Sequence, residues 1–531
     1  MNKSVLILIL LFISNILLAQ DEKKNLPSVE LPDFVITGKD ALEIKKVKKP
    51  LPKFVSTVSS DFFKPSIPPD ELELREFPNP IKQEKTLIDS VDFYNGYAEA
   101  GAGIHSLPVG KIIYTHPFNQ GKVFGKFGAL NRVAHTDNSE FLGINAGAGV
   151  AFITSTNSEV LPGTQFSLVG DYSSFDYKLY GAQVPEKKKL SDGKVKLKIN
   201  NHYLDDALFG LNIGGDFTSF RNEPYKENIF NAEAYSRFNI SNFNLGFIFN
   251  YELQSISIQR VGNNELDFVF VRPFVGLNLS NTIKSQFGFT YTKSAKEAYS
   301  FPFVSVALRI DKNISIYSEY APGAEFVTNT TLLRQNRYYD PESYFNILFE
   351  KKHLLNATLK YEFDKYFEID AGFEYMATDN IPYFTDANNT GIFRLQKSDA
   401  VSYSGFINLL FHLGPSGVFY GSIEGNDTKN GADKFIPYYP QIKSSLNYGY
   451  TFNFGLNATA TLLYQSKVFT DILNTNDLDA YFDLGAKFAY PISTGFNLTF
   501  ELANLLSRKN YLWNGYKELP LDATLGVNFR W

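Results

Sequence analysis

From about Tyr94 to the end of the chain, apolar and polar residues alternate with a period of two. In the segment 496–502, Phe496, Leu498, Phe500 and Leu502 are apolar, while Asn497, Thr499 and Glu501 fall between them. Leu355-Asn-Ala-Thr-Leu-Lys-Tyr-Glu-Phe363 repeats the pattern, Asp364-Lys365-Tyr366 reads as a turn, and Phe367-Glu-Ile-Asp-Ala-Gly-Phe-Glu-Tyr375 runs back. Residues 283–291 and 452–464 behave in the same way. Successive side chains on a strand point to opposite faces, so each segment carries one greasy and one wet face. The alternation predicts strands near 93–106, 108–118, 121–136, 140–155, 164–175, 192–203, 208–220, 228–239, 242–255, 266–278 and 282–294. The remainder fall near 298–309, 313–325, 352–364, 366–385, 400–412, 416–426, 440–452, 454–466, 477–491, 494–505 and 520–531, about 22 in all.

Connector lengths separate two ways of burying such strands. A soluble sandwich also has one apolar face per strand, but it has no reason to sort its connectors by parity. Here, from the eighth strand on, every second connector is tight, as at 241–242, 311–313, 364–366 and 493–495. Those between them are mostly longer, as at 326–351, 386–399, 427–439 and 506–519. Short turns at one end and longer loops at the other, joining apolar-out and polar-in segments of about ten residues, characterise transmembrane barrels. The fold class expected is therefore all-β, a transmembrane antiparallel β-barrel of about 22 strands over residues 93–531. An even count brings both ends of the barrel to one side.

Composition agrees. Aromatics make up 16% of the residues, with 49 Phe and 32 Tyr against 2 Trp, a load that a barrel can place on its lipid face. Beyond the amino terminus no stretch approaches 18 uninterrupted apolar residues, so helical spans are not expected. The formal net charge of −5 argues against a nucleic-acid binder. Without cysteine there is no disulfide framework, thiolate metal site or cysteine nucleophile. Residues 1–19 read as a secretory signal peptide: Lys3 precedes a run from Val5 to Leu18 that is nearly all apolar, and Ala19 offers a small residue for cleavage. Residues 20–92 differ from everything after them. Nine prolines lie between Pro27 and Pro80 around the basic run Lys45-Lys-Val-Lys-Lys49. Proline fixes φ and removes ladder donors, so an extended segment without a packed core is expected there.

No catalytic constellation is present. The histidines at 105, 116, 135, 202, 353 and 412 show no metal-ligand spacing, and no G-x-S-x-G elbow occurs. Neither an enzyme nor a cofactor is expected. Carboxylates on wet faces, such as Glu362 and Asp370, suit a hydrated lumen. The connector 326–351 holds the candidate ligand residues Arg334, Arg337, Tyr338 and Tyr339, residue types whose contacts carry much binding energy; the bland reading is a loop folded over the barrel mouth. Lys187-Lys-Lys189, placed in the connector 176–191, suits anionic sugar or phosphate groups, or solubility alone.

Three stretches resemble known families. At the carboxy end, Thr524, Gly526, Phe529 and Trp531 are spaced in a way that resembles the terminal signal of bacterial outer-membrane barrels, which their assembly machinery reads. The wider run Asn504-Leu-Leu, Tyr511-Leu-Trp-Asn-Gly-Tyr516, Pro520 and Leu525 to Trp531 resembles the last hairpin of TonB-dependent receptors. Close after the signal, Asp33-Phe34-Val35-Ile36-Thr37-Gly38 resembles a TonB box, which in that family pairs by strand addition with the energy-transducing partner. The departure is in length. The family places a plug domain between box and barrel, whereas here only a Pro-rich segment separates Gly38 from the first strand. The chain thus resembles plugless, receptor-like barrels of Bacteroidetes type.

The resemblance implies a Gram-negative outer-membrane location with the extension in the periplasm. Implied partners are outer-membrane lipid, the barrel-assembly machinery, a TonB-type energy transducer and a separate plug or periplasmic protein. A barrel this wide is usually plugged. The expected function is a receptor or transport barrel for a bulky solute. The competing expectation is a surface-exposed structural or adhesion barrel that transports nothing.

Overall fold

The computed structural model describes residues 95–531 except 160, 202–206, 259–261, 295–296, 344–347, 364–365 and 387–388. The signal sequence, the extension 20–92 and the box-like residues 33–38 lie outside the described residues.

The alternating segments form one closed antiparallel sheet of 22 strands. Consecutive strands pair throughout, and closure comes from the two ends. Gly96–Gly103, the first strand, pairs with Ser106–Phe118 on one side and with the last strand, Asp522–Arg530, on the other. The closing register runs from Tyr97 opposite Arg530 to Gly103 opposite Thr524. Full closure leaves no strand edge, which is what allows a sheet to sit in hydrocarbon. At the seam Trp531 and Gly96 exchange backbone hydrogen bonds of 3.1 and 3.0 Å. The Trp531 indole lies over Gly96 so closely that a Cβ there would fall 2.1 Å from the ring, so a larger residue would have to displace the indole.

The alternation sorts the two faces as the sequence requires. On the last strand Leu525 and Phe529 point outward and are 56% and 44% exposed, while Asn528 points inward at 6%. The pairing strand Phe496–Ala503 exposes Leu498 and Phe500 and buries Thr499. Around the wall Ile112, Phe127, Leu168, Phe217, Phe247, Phe287, Phe373 and Ile423 are exposed in the same sense. Monomeric soluble proteins rarely show so much contiguous apolar surface. A bilayer solvates it without cost.

The inner face is polar and internally bonded. Lys360 stands opposite Asp370 in the register and reaches Glu362 at 2.6 Å and Glu368 at 3.3 Å. The carboxylates of Glu362 and Glu368, opposite each other in the register, thus share one lysine. Asn497 donates to Asn528 at 2.8 Å, and Thr461 to Asn447 at 2.8 Å.

Connectors sort by end. At the end that holds both termini of the barrel most are short, such as 119–120, 241–242, 312–313 and 494–495, with 154–163 an exception; at the other end lie the long 133–140, 179–186, 321–352, 386–393, 430–441, 466–480 and 504–521 beside the short 104–105 and 221–224. Several sequence boundaries need correction, among them that of the expected strand 313–325, which ends at Tyr320 so that the connector expected at 326–351 spans 321–352. Thr164–Lys178 and Lys187–Asn201 shrink the expected connector 176–191 to 179–186, so Lys187 to Lys189 stand on a strand. Arg394–His412 likewise begins six residues before the expected 400. Strands of 15 to 19 residues exceed the length a bilayer needs, so the wall continues past the membrane at the long-loop end. There both faces meet water and the alternation that marks strand ends in sequence fades.

Candidate functional site

The long connectors fold inward over the mouth. The longest, 321–352, opens with a short ribbon, Gly323–Phe326 paired with Leu348–Lys351, and carries a seven-residue helix, Asn329–Gln335. Thr328 caps that helix, its hydroxyl accepting from the Thr331 amide at 3.2 Å. Leu332 and Leu333 bury its apolar side, each 2% exposed.

This connector leaves the wall between Ile314–Tyr320 and His353–Phe363, yet it binds strands on a different part of the barrel. Glu227, on Tyr225–Ile240, is fully buried and receives the backbone N–H groups of Asn329 at 3.1 Å and Thr330 at 2.6 Å. The Thr330 hydroxyl and the Gln254 side-chain amide donate to the same carboxylate. One wall carboxylate therefore satisfies amides at the start of the helix that would otherwise be orphaned. At the other end of the helix, Arg334 forks onto Asp192 with two bonds of 2.9 Å and reaches Asp216 at 3.0 Å. The chain thus crosses the lumen and is tied to the wall at both ends of its helix.

Other connectors close on it. Tyr338 stacks on Tyr516 with ring centroids 3.5 Å apart, and Tyr180 meets both rings edge-on. Trp513 packs against Phe384, Phe393 and Tyr438 at 4.9–5.3 Å. The Asp340 amide donates to the Phe393 carbonyl at 2.8 Å, and the Phe393 amide to the Tyr338 carbonyl at 3.1 Å. Aromatic clusters of this kind gain both buried area and preferred ring geometry. Burial pushes the Tyr180, Tyr338 and Tyr516 hydroxyls above the ordinary phenol value, so they stay neutral donors.

Three connectors meet backbone to backbone where Gly181, Gly391 and Gly515 come together. Gly391 has φ +75°, and a Cβ on it would lie 2.3 Å from the Gly181 carbonyl oxygen. The Tyr516 hydroxyl donates to the Gly391 carbonyl at 2.5 Å. Gly391→Ala combines left-handed backbone strain with a clash against main chain, about 1–3 kcal/mol at one loop junction. Protease cleavage within 386–393 and 504–521 should accelerate, while the shift in gel mobility on heating that reports an intact barrel should not change.

Beneath this roof is a cavity of about 210 Å³ lined by residues from four connectors and the adjoining strand ends. Arg132, His135, Arg337, Tyr338, Trp513 and Glu518 are among its walls. His135 Nε2 donates to the Lys517 carbonyl at 2.9 Å, and burial holds its imidazole below the ordinary value, hence uncharged at neutral pH. Burial pushes the Glu518 carboxyl up, against the pull of Arg337 and Arg132.

The four connector residues singled out in sequence thus have different surroundings. Arg334 is engaged by Asp192 and Asp216, although it also borders the cavity. Tyr339 is buried and its hydroxyl donates to Asn329 Oδ1 at 2.9 Å. Arg337 and Tyr338 face the cavity. Arg132, which shares it, had no signal in sequence, and Trp513 stood out only within the carboxy-terminal run 511–516. Lys188, a member of the other basic run, is taken by Glu223 at 2.6 Å and Glu186 at 3.4 Å. Thr524, Gly526 and Phe529, for which the sequence suggests an assembly signal, occupy the closing strand, with Trp531 beyond its end.

No family model matches the chain, and no curated protein does. Solved structures do. The chain is similar to the FrpB iron transporter from Neisseria meningitidis (F3-3 variant), with a TM-score of 0.63 at 10% identity over 83% of this chain and 82% of that one. It is similar to the ferric-catecholate import receptor Fiu from E. coli K12, with a TM-score of 0.61 at 10% identity over 84% and 83%. The copper transporter OprC matches with a TM-score of 0.61 at 11% identity over 84% and 82%. The chain, a closed barrel of 22 strands, therefore shares its fold with these transporters and this receptor.

Proposed function

We propose that the chain is an outer-membrane receptor or transport barrel of TonB-dependent type, with its long-loop end outside the cell and its amino-terminal extension in the periplasm. The observation that carries this reading is the mouth: an inward-folded connector anchored across the lumen over a small charged cavity. An adhesion or purely structural barrel needs loops that project outward, and gains nothing from burying arginine and tyrosine over its own pore. The exposed apolar wall and the likeness to iron, siderophore and copper transporters support the same reading. Asp33 to Gly38 serve as the contact for a TonB-type transducer, by strand addition. The short segment between Gly38 and the barrel leaves no room for a normal plug, so occlusion falls to the extension, to a separate plug or periplasmic protein, and to the connectors of the mouth. Arg337 and Tyr338 are the members of the 326–351 loop placed to touch a ligand.

The test is physical association with the transducer. The purified full-length chain should be retained by the periplasmic domain of a TonB-type protein. Replacing Phe34, Val35, Ile36 and Thr37 with glycine should abolish retention and leave heat-modifiable mobility intact. Retention that is absent in the parent, or unchanged in the glycine variant, would favour the structural-barrel reading.

A further inference from the structure

The cavity under Tyr338 holds two guanidinium groups that form no direct ion pair among the described residues, although Glu518 attracts both from across the lining. Arg132 comes from the end of the strand Gly121–Arg132, and Arg337 from the inserted connector. Both lie against the ring of Phe141, at 5.9 and 4.8 Å from its centroid. Arg132 Nε is buried and has no hydrogen-bond partner. Two other cations of the lining are engaged: Arg334 by Asp192 and Asp216, and Lys178 by Glu140 at 2.5 Å and Asn138 at 2.9 Å. Glu518 borders the cavity without forming an ion pair to either arginine. The lining as a whole carries five Lys and Arg side chains against two carboxylates.

Two like charges held on one aromatic ring in a partly enclosed space repel each other and have lost part of their hydration. An anion between them removes both costs. Guanidinium forks match carboxylate and phosphate oxygens in a bidentate way, and both heads already sit over the Phe141 ring. We propose that this cavity binds the carboxylate or phosphate group of a small organic anion, gripped between Arg132 and Arg337. At about 210 Å³ the cavity falls below the roughly 300–1,000 Å³ of sites that enclose a whole drug-sized molecule, so it takes a head group. Tyr338 and Trp513 cover the adjoining planar or apolar part of the ligand. The assignment rests on the receptor reading and adds the chemical class of what is received.

The chain supplies its own reporter. It has two tryptophans, Trp513 in the cavity lining and Trp531 at the seam. In full-length W531F protein in detergent micelles, the emission of Trp513 is followed as citrate or inorganic phosphate is added at constant ionic strength, with chloride as the control. The expected result is a saturable change with citrate, phosphate or both, and none with chloride. R132Q and R337Q should each weaken the apparent Kd at least tenfold, K467Q on a distant connector should not, and R132K should recover part of the loss. A phosphate-bearing glycolipid doped into the micelles, compared with its dephosphorylated form, tells a lipid head group from a free anion as the source. The absence of saturable change in the W531F parent with every one of these anions overturns the proposal, whatever the variants do. So does an unchanged Kd in both R132Q and R337Q when heating shifts their gel mobility normally. The titration involves no transport and no transducer, so its failure leaves the receptor reading standing, and failure of transducer binding leaves the anion site.

Discussion

Glu227→Ala should raise the rate of protease cleavage within 321–352 by about 100-fold without dissolving the barrel. The carboxylate is fully buried and accepts from two helix amides and a hydroxyl of the connector and from a side-chain amide of the neighbouring strand. Its loss strands the Asn329 and Thr330 N–H groups inside the wall. Breaking a buried charged network of this kind costs about 3–5 kcal/mol, because the partners left behind are unsatisfied. Cleavage tracks the population of the opened connector, and each 1.4 kcal/mol is about tenfold, so even the lower figure reaches about 100-fold. Arg334→Ala should do much less, a few-fold, because Arg334 is 44% exposed and water screens its pairs with Asp192 and Asp216. Cleavage of Glu227→Ala at the parent rate would mean that the connector is held by its aromatic contacts alone.

Leu525→Arg should lower barrel stability by roughly 2–4 kcal/mol if the residue lies near mid-bilayer, and by less nearer an interface. Leu525 is 56% exposed on the outer face of the closing strand, where hydrocarbon replaces water. Asn528→Arg, three residues on, faces the lumen. It gives up the 2.8 Å bond from Asn497, but its charge can extend into a wet interior, so a loss of about 1 kcal/mol is expected. Urea unfolding of the two variants in lipid vesicles measures both. Equal losses, or a greater loss at 528, would require that strand to be shifted by one residue.

The wall was the legible part of the sequence, for a simple reason. Within the bilayer each strand residue meets either lipid or lumen, so the period-two pattern is enforced at every step. Gly121–Arg132 and Asp522–Arg530 accordingly fall inside the segments read from alternation. Above the bilayer both faces are wet and that constraint lapses. Lys187 to Lys189 read as loop because three lysines show no alternation, yet their backbone continues the ladder opposite Asp176 to Lys178. Arg394 to Lys397 were missed for the same reason, although they pair with 382–385.

The mouth was legible only in composition. Two Arg and two Tyr in one connector drew attention to 326–351, but nothing in the spacing said which would face a cavity and which would be consumed by the wall. The helix Asn329–Gln335 is too short for its periodicity to register, and its anchor, Glu227, lies about a hundred residues earlier. Arg132 and Arg337 lie about two hundred residues apart in the sequence and meet over the ring of Phe141. Contacts built by closure of a sheet carry no local signal, which is why the anion-facing pair emerges from the structure and not from a motif.

That the barrel is a conduit shut at its long-loop end by its own connectors is tested most directly by current through single full-length molecules in a planar bilayer. Current should be small when the chain inserts and should rise severalfold once protease added on the long-loop side cuts within 321–352. A large steady current before cleavage, or a current that cleavage leaves unchanged, would contradict closure by the connector.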